Sequence, residues 1–228
     1  METVTLKAIK FGETDLPENM LFRGGEANKK RTISLLLFLI TFGNKRILVD
    51  AGCDTLPGLT LKNFCGPEKA LRSAGIAPED ISDVIITHAH HDHIQALYLY
   101  KNAKIHIHAE ELADAGSYIP RGANVVPFVR KRKLCGCASV IFVGGHSVGS
   151  SIVEIDAAEK IYLAGDECYT RECLEKQIPT GSSFRPEVSE TFIRTFRDKC
   201  VFLPHQDDIL PGKCGSVTLA SFDWPLKS

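Results

Sequence analysis

The stretch 87–93, with the sequence Thr-His-Ala-His-His-Asp-His, constrains the fold of this 228-residue chain more than any other. It follows the apolar run 84–86, which we predict to be a buried strand, and it precedes an apolar segment that we predict to be helical. Side chains two residues apart in an extended segment share a face, so His88 and His90 can bind one metal ion. The Asp and His that end the stretch fall where the chain turns into the helix, and we expect them to face a second point nearby. Imidazole and carboxylate ligands favour zinc or a similar divalent ion over calcium or magnesium.

One rule recurs along the chain: a residue able to bind a metal follows an apolar run that we predict to be a strand. These residues, each with its preceding run, are Asp50 (47–49), His88 (84–86), His146 (140–143), Asp166 (161–163) and His205 (201–203). If the strands end at one edge of a sandwich, all five side chains meet there. Glycines beside His146 and Asp166 let the backbone approach the site closely.

The remaining patterns predict a mixed α/β chain. Residues 4–8 alternate as one strand, and a long loop follows to residue 30. Residues 32–50 are typical of a hairpin of apolar strands buried on both faces, with its turn at Gly43 and Asn44. We predict further strands over 103–108, 139–143 and 151–155, helices over 67–74, 109–115 and 186–197, and an irregular span over 116–137. A sandwich of two sheets flanked by helices satisfies this pattern.

Composition narrows the function classes. A chain of 228 residues can bury a sizeable core, and no repeat or composition break divides it, so we expect one domain over residues 1–228. A net charge of −1 gives no general attraction to nucleic acids or anionic membranes. The longest apolar run, 33–42, is too short to span a bilayer, and the first residues lack a secretory signal pattern. We expect a cytoplasmic protein that acts on a small molecule, and the sequence carries no signal for an oligomeric state.

Eight cysteines raise the question of disulfides or a zinc knot. None forms a Cys-x-x-Cys pair, and a chain of this length does not depend on disulfides for stability. Cys135 and Cys137 are the only close pair, and two thiols cannot make a four-ligand site. We therefore expect free thiols.

The order of these motifs, His-x-His-x-Asp-His and then a later His, Asp and His, resembles the metallo-β-lactamase superfamily. The resemblance runs from about residue 50 to residue 205. It implies an αβ/βα sandwich of two mixed β-sheets flanked by helices, with a dinuclear metal site. The implied ligands are His88, His90 and His146 for the first ion, Asp92, His93 and His205 for the second, and Asp166 as a bridge between them. Asp50 is then expected to hydrogen-bond a ligand or a metal-bound water.

Two divalent ions at such a site imply a hydrolase. We expect Zn²⁺, with iron or manganese as alternatives. Two ions about 3.5–4 Å apart share a water, lower its pKa to about 7 and polarise a carbonyl or phosphoryl oxygen, so a hydroxide forms at neutral pH. A purely structural zinc site is disfavoured because seven side chains for two ions leave open coordination positions.

Within the superfamily, the chain is similar to the N-acyl-homoserine lactone lactonases. The spacings from His93 to His146, His146 to Asp166 and Asp166 to His205 are 53, 20 and 39 residues. Those lactonases carry a tyrosine three residues after the bridging aspartate, where this chain has Tyr169. Its hydroxyl can donate to the developing oxyanion of an attacked ester. The candidate catalytic residues are Asp92, Asp166 and Tyr169.

Two other activities of the same fold stay open. A mononuclear iron dioxygenase acting on persulfides shares the metal motifs, and some relatives are phosphodiesterases or nucleases. The tRNA-processing nucleases carry an additional RNA-binding arm, whereas the only basic run here is 130–133, and such a short run is usually a solvated loop. The chain also departs from the lactonase pattern, because Gly-Gly-His stands at 144–146 where Pro-Gly-His is common.

The substrate pocket and two further histidines complete the expectations. We expect the N-terminal loop, about residues 13–28, and the span 116–132 to form the walls of the pocket. His106 and His108 alternate with isoleucines on a predicted strand. The predicted ligand positions are already filled, so we expect these two histidines at the surface or at a sheet edge.

Overall fold

Apolar strands build the larger of two mixed sheets. The computed structural model describes residues 3–206 and the backbone of residues 218–225. The strands of this sheet are β1 (Thr3–Pro17), β2 (Lys30–Phe42), β3 (Lys45–Val49), β4 (Leu61–Lys62), β5 (Asp83–Ile86), β6 (Lys104–His108), β7 (Asn124–Phe128) and β13 (Thr218–Pro225). Their order is β13-β1-β2-β3-β5-β6-β7, with the short β4 paired to β1. The neighbours from β3 to β7 are parallel and the other pairs are antiparallel.

The smaller sheet comes from the second half of the chain. Its strands are β8 (Lys131–Lys133), β9 (Ala138–Phe142), β10 (Ser151–Asp156), β11 (Lys160–Leu163) and β12 (Cys200–Phe202). They lie in the order β12-β11-β10-β9-β8, and only β11 and β12 run parallel. The irregular span predicted over 116–137 is therefore partly wrong, because β7 and β8 both lie within it.

Within residues 3–206, six short α-helices lie outside the sheets. They are α1 (Glu18–Leu21), α2 (Pro67–Ser73), α3 (His91–Ile94), α4 (Leu112–Ala115), α5 (Arg171–Lys176) and α6 (Pro186–Phe196). A proline begins both α2 and α6, where its missing N–H costs no helical hydrogen bond. The predicted helices at 67–74 and 186–197 are confirmed within a residue. The one predicted over 109–115 divides into a 3₁₀ turn, Ala109–Glu111, and α4.

The hydrophobic core consists of three clusters, one on each outer side of the two sheets and one between them. Strands of both sheets are therefore apolar on both faces. In β3, Leu48 packs on the helix side of the larger sheet, whereas Ile47 and Val49 pack between the two sheets. The outer face of the smaller sheet packs against α6 through residues such as Phe192 and Ile193. The order of layers is helix, sheet, sheet, helix, so the predicted αβ/βα sandwich is confirmed.

The N-terminal region differs from the prediction of one short strand and a long loop. β1 continues to Pro17 because it pairs with β2 along almost its whole length, with one register shift between Lys10 and Gly12. The loop begins only after α1. Long-range pairing thus extends a strand that the local sequence pattern alone did not reveal.

The two sheets approach each other at the ends of several strands. Ser151 N–H donates to Thr87 O at 3.0 Å, which joins the start of β10 to the residue after β5. Ser34 N–H of β2 donates to His205 O at 3.2 Å, just beyond β12. This edge holds the site described below. Within the described ranges, no helix has the length and apolar character needed to cross a membrane.

Candidate metal centre

All seven predicted ligands lie together at this edge of the sandwich, in two groups. In the first donor group, one ligand atom from each residue lies within 4.8 Å of all the others, and its members are His88, His90, His146 and Asp166. The second donor group meets the same limit and consists of Asp92, His93 and His205. Strand ends place most of them: His88 and His90 follow β5, Asp166 lies in the turn after β11, and His205 follows β12.

Three imidazoles of the first donor group point at one another. His88 Nε2 and His146 Nε2 lie 3.0 Å and 2.9 Å from His90 Nδ1. A neutral His90 carries at most one proton on that nitrogen, so at most one of the two contacts can be a hydrogen bond. Lone pairs from three rings are thus directed at one small volume, which is the arrangement that a cation stabilises.

Asp166 connects the two donor groups. Its Oδ2 lies 3.7 Å from His88 Nε2 and 3.4 Å from His146 Nε2. Its Oδ1 lies 3.2 Å from the Nε2 atoms of both His93 and His205. One carboxylate therefore faces both groups, each with a different oxygen, as a bridging ligand would.

In His146 and His205, the ring nitrogen that points away from the centre has a hydrogen-bond acceptor, and this acceptor determines the tautomer. Nδ1–H of His146 donates to Ser182 O, and Nδ1–H of His205 donates to Ser34 O, both at 2.9 Å. Each Nε2 then presents a lone pair to the centre. His93 Nε2 and Asp166 Oδ1 are buried and have no hydrogen-bond partner within the described residues. Two buried atoms without hydrogen-bond partners, in a set of imidazole and carboxylate ligands, are consistent with a pair of divalent ions as their missing partners.

Asp50 orients ligands of both groups from outside the centre. It stands at the end of β3 with a φ of 62°, a left-handed conformation that aspartate tolerates better than most residues. Its Oδ2 lies 2.8 Å from His93 Nδ1 and accepts Thr87 Oγ1–H at 3.0 Å. The same Thr87 oxygen lies 3.1 Å from His88 Nδ1. The predicted hydrogen bond from Asp50 to a candidate ligand is present.

The two groups differ in their electrostatics. Burial lowers the pKa of His88 well below its usual value, and burial also lowers the pKa of His146. For His93 and His205, burial again favours the neutral ring, but neighbouring carboxylates, first of all Asp166, outweigh it and raise both pKa values. Burial disfavours the charge of Asp166, but the surrounding histidines, led by His93, hold its pKa well below the usual range.

A cavity of about 140 Å³ opens onto the centre. Its polar lining is formed by Thr14, His90, Asp92, Asp166, Tyr169, Ser182 and His205. The ring of Tyr169 lies 5.8 Å from the ring of His146 and 5.3 Å from that of His205, so it contacts both donor groups. Burial raises the pKa of Tyr169 well above its usual value, so its hydroxyl keeps its proton at neutral pH.

A family model, the metallo-beta-lactamase superfamily, matches residues 36–194, which is more than half of the chain. This chain belongs to the metallo-beta-lactamase superfamily. The matched range includes strands of both sheets and six of the seven residues in the two donor groups.

Relatives within the superfamily include lactonases. The N-acyl homoserine lactonase AiiB of Agrobacterium fabrum is 24% identical over 213 residues, covering 72% of this chain and 77% of that protein. Metallo-beta-lactamase domain-containing protein 1 of Mus musculus is 31% identical over 131 residues, covering 53% of this chain and 46% of that protein.

Solved structures show the same fold. An N-acyl homoserine lactone hydrolase, with the product N-hexanoyl-L-homoserine bound at its catalytic metal centre, superposes with a TM-score of 0.78 at 20% identity, over 90% of this chain and 94% of that one. AidC, a dizinc quorum-quenching lactonase, superposes with a TM-score of 0.71 at 16% identity, over 99% of this chain and 95% of that one.

The predicted pocket walls are only half right for this superfamily member. Thr14, Leu16 and Met20, from the predicted range 13–28, line the cavity. The span 116–132 does not line it. Leu56 and Leu59, from the segment after β3, line it instead.

The expectation for His106 and His108 is wrong. Their exposed fractions are only 3% and 2%, because β6 lies between β5 and β7 inside the larger sheet. His106 Nε2 lies 2.8 Å from Asp83 Oδ1, and His108 Nε2 donates to Val129 O at 2.7 Å. Alternation with isoleucine indicated one solvated face, but these imidazoles are buried with polar partners.

Sequence reasoning also missed two buried glutamates beside the donor groups. Glu111 and Glu167 accept hydrogen bonds from the backbone on either side of His146. Gly145 and Gly149 were the available signal, since a Cβ at Gly145 would lie 2.3 Å from Glu167 Oε2 and one at Gly149 2.7 Å from Glu111 Cγ. Glycines so placed leave room for a neighbouring side chain.

Proposed function

We propose that this chain is a metal-dependent hydrolase that opens the lactone ring of an N-acyl homoserine lactone or cleaves a related ester. The observation that carries the proposal is the position of Asp166, whose two oxygens face two separate donor groups beneath a cavity. The likeness to N-acyl homoserine lactonases supports the choice of substrate class.

We assign His88, His90 and His146 to one divalent ion, and Asp92, His93 and His205 to a second, with Asp166 shared. Two such ions, when bound, supply a nucleophile from water and polarise the carbonyl oxygen of the substrate. Six imidazole and carboxylate side chains besides the shared aspartate favour Zn²⁺, and iron or manganese would also accept this donor set.

The proposed role of Tyr169 is to donate a hydrogen bond to the oxyanion that forms when the ester carbonyl is attacked. Its buried hydroxyl stays protonated, as its raised pKa requires, and the residue lines the cavity together with His90 and Asp92. A donor held in place before reaction contributes about 3 kcal/mol to transition-state stabilisation. Asp92 and Asp166 contribute to catalysis by holding the ions at the floor of the cavity.

Apolar side chains form the upper walls of the cavity and suit the acyl portion of a substrate. They are Leu16, Met20, Ile33, Leu56 and Leu59. Met20 is 39% exposed at the rim, so an acyl chain longer than the cavity can pass along it into solvent. We expect small-molecule substrates and a cytoplasmic location.

The test is a substrate panel with measured metal content. The protein as purified is first analysed for metal and assayed for oxygen consumption on persulfides. Metal-free protein, reconstituted with Zn²⁺ to two equivalents, is then offered N-acyl homoserine lactones, thioesters and phosphodiesters. We expect ring opening of the lactones, detected by proton release, which chelation abolishes and Zn²⁺ restores. One iron per chain with oxygen consumption on persulfides would instead establish the dioxygenase, and turnover of phosphodiesters alone would establish a phosphodiesterase.

A further inference from the structure

Glu111 occupies a position between two segments that carry candidate ligands. It ends the 3₁₀ turn after β6 and is only 1% exposed. It is far in sequence from every member of the two donor groups. Burying a carboxylate is unfavourable unless its oxygens accept hydrogen bonds, so its partners show what holds it there.

Each oxygen of Glu111 accepts from a different segment. Oε2 accepts the backbone N–H of Ala89, between His88 and His90, at 2.7 Å. Oε1 accepts the N–H of Gly149 at 2.7 Å and the hydroxyl of Ser147 at 2.5 Å. One side chain therefore joins the histidine pair after β5 to the loop that carries His146.

We propose that Glu111 is a positioning residue that sets the separation of His146 from His88 and His90, and thereby the affinity of the first donor group for its ion. His88 Nε2 and His146 Nε2 lie only 3.0 Å and 2.9 Å from His90 Nδ1, so a small shift of either segment changes the site. This inference rests on the proposed two-ion function.

The packing around Gly149 supports this role. A Cβ at this position would lie 2.6 Å from His108 Nδ1 and 2.7 Å from Glu111 Cγ. His108 is itself held by its bond to Val129 O. The loop therefore needs glycine here to approach Glu111 closely enough for the N–H to donate.

Glu167 supports the same loop from its other side. Its Oε1 accepts the N–H of Gly145 at 3.1 Å and that of His146 at 3.2 Å, and it also accepts the hydroxyl of Ser150. Because Glu167 directly follows Asp166, it joins the His146 loop to the bridging ligand. Glu111 is the better probe, since it lies outside the segments that carry the ligands.

The variant Glu111→Gln tests the role with little change of volume. A glutamine offers one acceptor oxygen, so its NH₂ must face either the Ala89 N–H or the donors of Ser147 and Gly149. One of the two segments is then released. The matched control is Asp83→Asn, another buried and hydrogen-bonded carboxylate, which contacts His106 and Ser82 and no ligand-bearing loop.

The measurement is Zn²⁺ affinity of the metal-free proteins, by competition with a chromophoric chelator, together with thermal unfolding. We expect Glu111→Gln to lower the affinity for one of the two ions by about 10- to 100-fold and to leave the affinity for the other within about threefold of wild type. Asp83→Asn should lower the Tm and change neither affinity. Ser147→Ala removes one of the three hydrogen bonds to Glu111 and should lower the affinity for the same ion by less than Glu111→Gln does.

Two results overturn different statements. Wild-type protein that binds fewer than two ions overturns the proposed function, and the role of Glu111 with it. Wild-type protein that binds two ions, with both affinities unchanged in Glu111→Gln, overturns the role of Glu111 alone.

Discussion

The two donor groups are built from the same ligand types, but their surroundings differ. In the first, imidazole nitrogens face one another, and burial lowers the pKa of His88 and His146. In the second, His93 and His205 face carboxylates that raise their pKa values. Protons therefore compete with a metal ion less strongly for the histidines of the first group than for those of the second.

The supports of the two groups also differ. Backbone contacts of two buried glutamates hold the loop of His146, which belongs to the first group. In the second group, Asp50 contacts a ring nitrogen of His93 directly, and a backbone carbonyl accepts from His205. A change in Glu111 therefore acts on a loop, while a change in Asp50 acts directly on His93 and on His88 only through Thr87, and the two effects should be separable.

Asp166 faces both groups, so its removal should affect metal binding by both of them alike. We expect Asp166→Ala to lose both ions and to lower kcat/KM for the lactone by more than about 1000-fold, because several kcal/mol of metal catalysis are lost. Elemental analysis and steady-state kinetics measure the two effects. His106→Gln, at a buried histidine outside both groups, is the control and should keep two ions. Retention of either ion by Asp166→Ala would refute its bridging position.

Tyr169 contacts rings of both groups but belongs to neither. We expect Tyr169→Phe to lower kcat by about 100-fold, the equivalent of about 3 kcal/mol, with both ions retained. Tyr162→Phe, at a tyrosine that packs against Phe196 and does not line the cavity, should leave kcat unchanged. Equal turnover of Tyr169→Phe and wild type would exclude the hydroxyl from the mechanism.

Asp50→Asn should weaken metal binding by the second group more than by the first, because Asp50 contacts His93 directly and reaches His88 only through Thr87. Asparagine tolerates the left-handed backbone that this position adopts, so the strand end should be retained. Loss of the carboxylate beside His93 Nδ1 should reduce affinity for one ion by about 10- to 100-fold. Chelator competition measures this loss. An equal loss at both ions would show that Asp50 acts on the whole site instead.

Acid should remove the ions in a defined order. The raised pKa values of His93 and His205 mean that protons compete with a metal ion for these rings at a higher pH than for an ordinary histidine, so their affinity for metal falls first as pH is lowered. The lowered values of His88 and His146 keep these rings neutral, so their affinity changes little over the same range. Equilibrium dialysis between about pH 8 and pH 6 should show a fall from two ions to one. Simultaneous loss of both ions would contradict the electrostatic difference.

Much of the site followed from the sequence because strand ends are local features. Asp50, His88 and Asp166 each stand after an apolar run, and parallel or sandwiched strands bring such ends to one edge. Glu111 was missed because a glutamate in a short turn looks solvent-exposed until the loop of His146 is folded over it. Similarly, the burial of His106 depends on strands that lie on both sides of β6, and no local pattern contains that information.

The length of β1 and the position of the pocket wall depend on long-range structure in the same way. β1 extends to Pro17 only because β2 pairs with it, and Leu56 lines the cavity from the segment after β3. Hydrophobic periodicity describes the face of an element but not its neighbours. The ligand residues could therefore be predicted, whereas their supports and the substrate walls required the structure.

Anomalous diffraction at the zinc edge, from crystals of the Zn²⁺-loaded protein, tests the central claim most directly. We predict two peaks about 3.5–4 Å apart, one among His88, His90 and His146 and the other among Asp92, His93 and His205, with an oxygen of Asp166 beside each. A single peak, or a peak outside the two donor groups, would contradict the account.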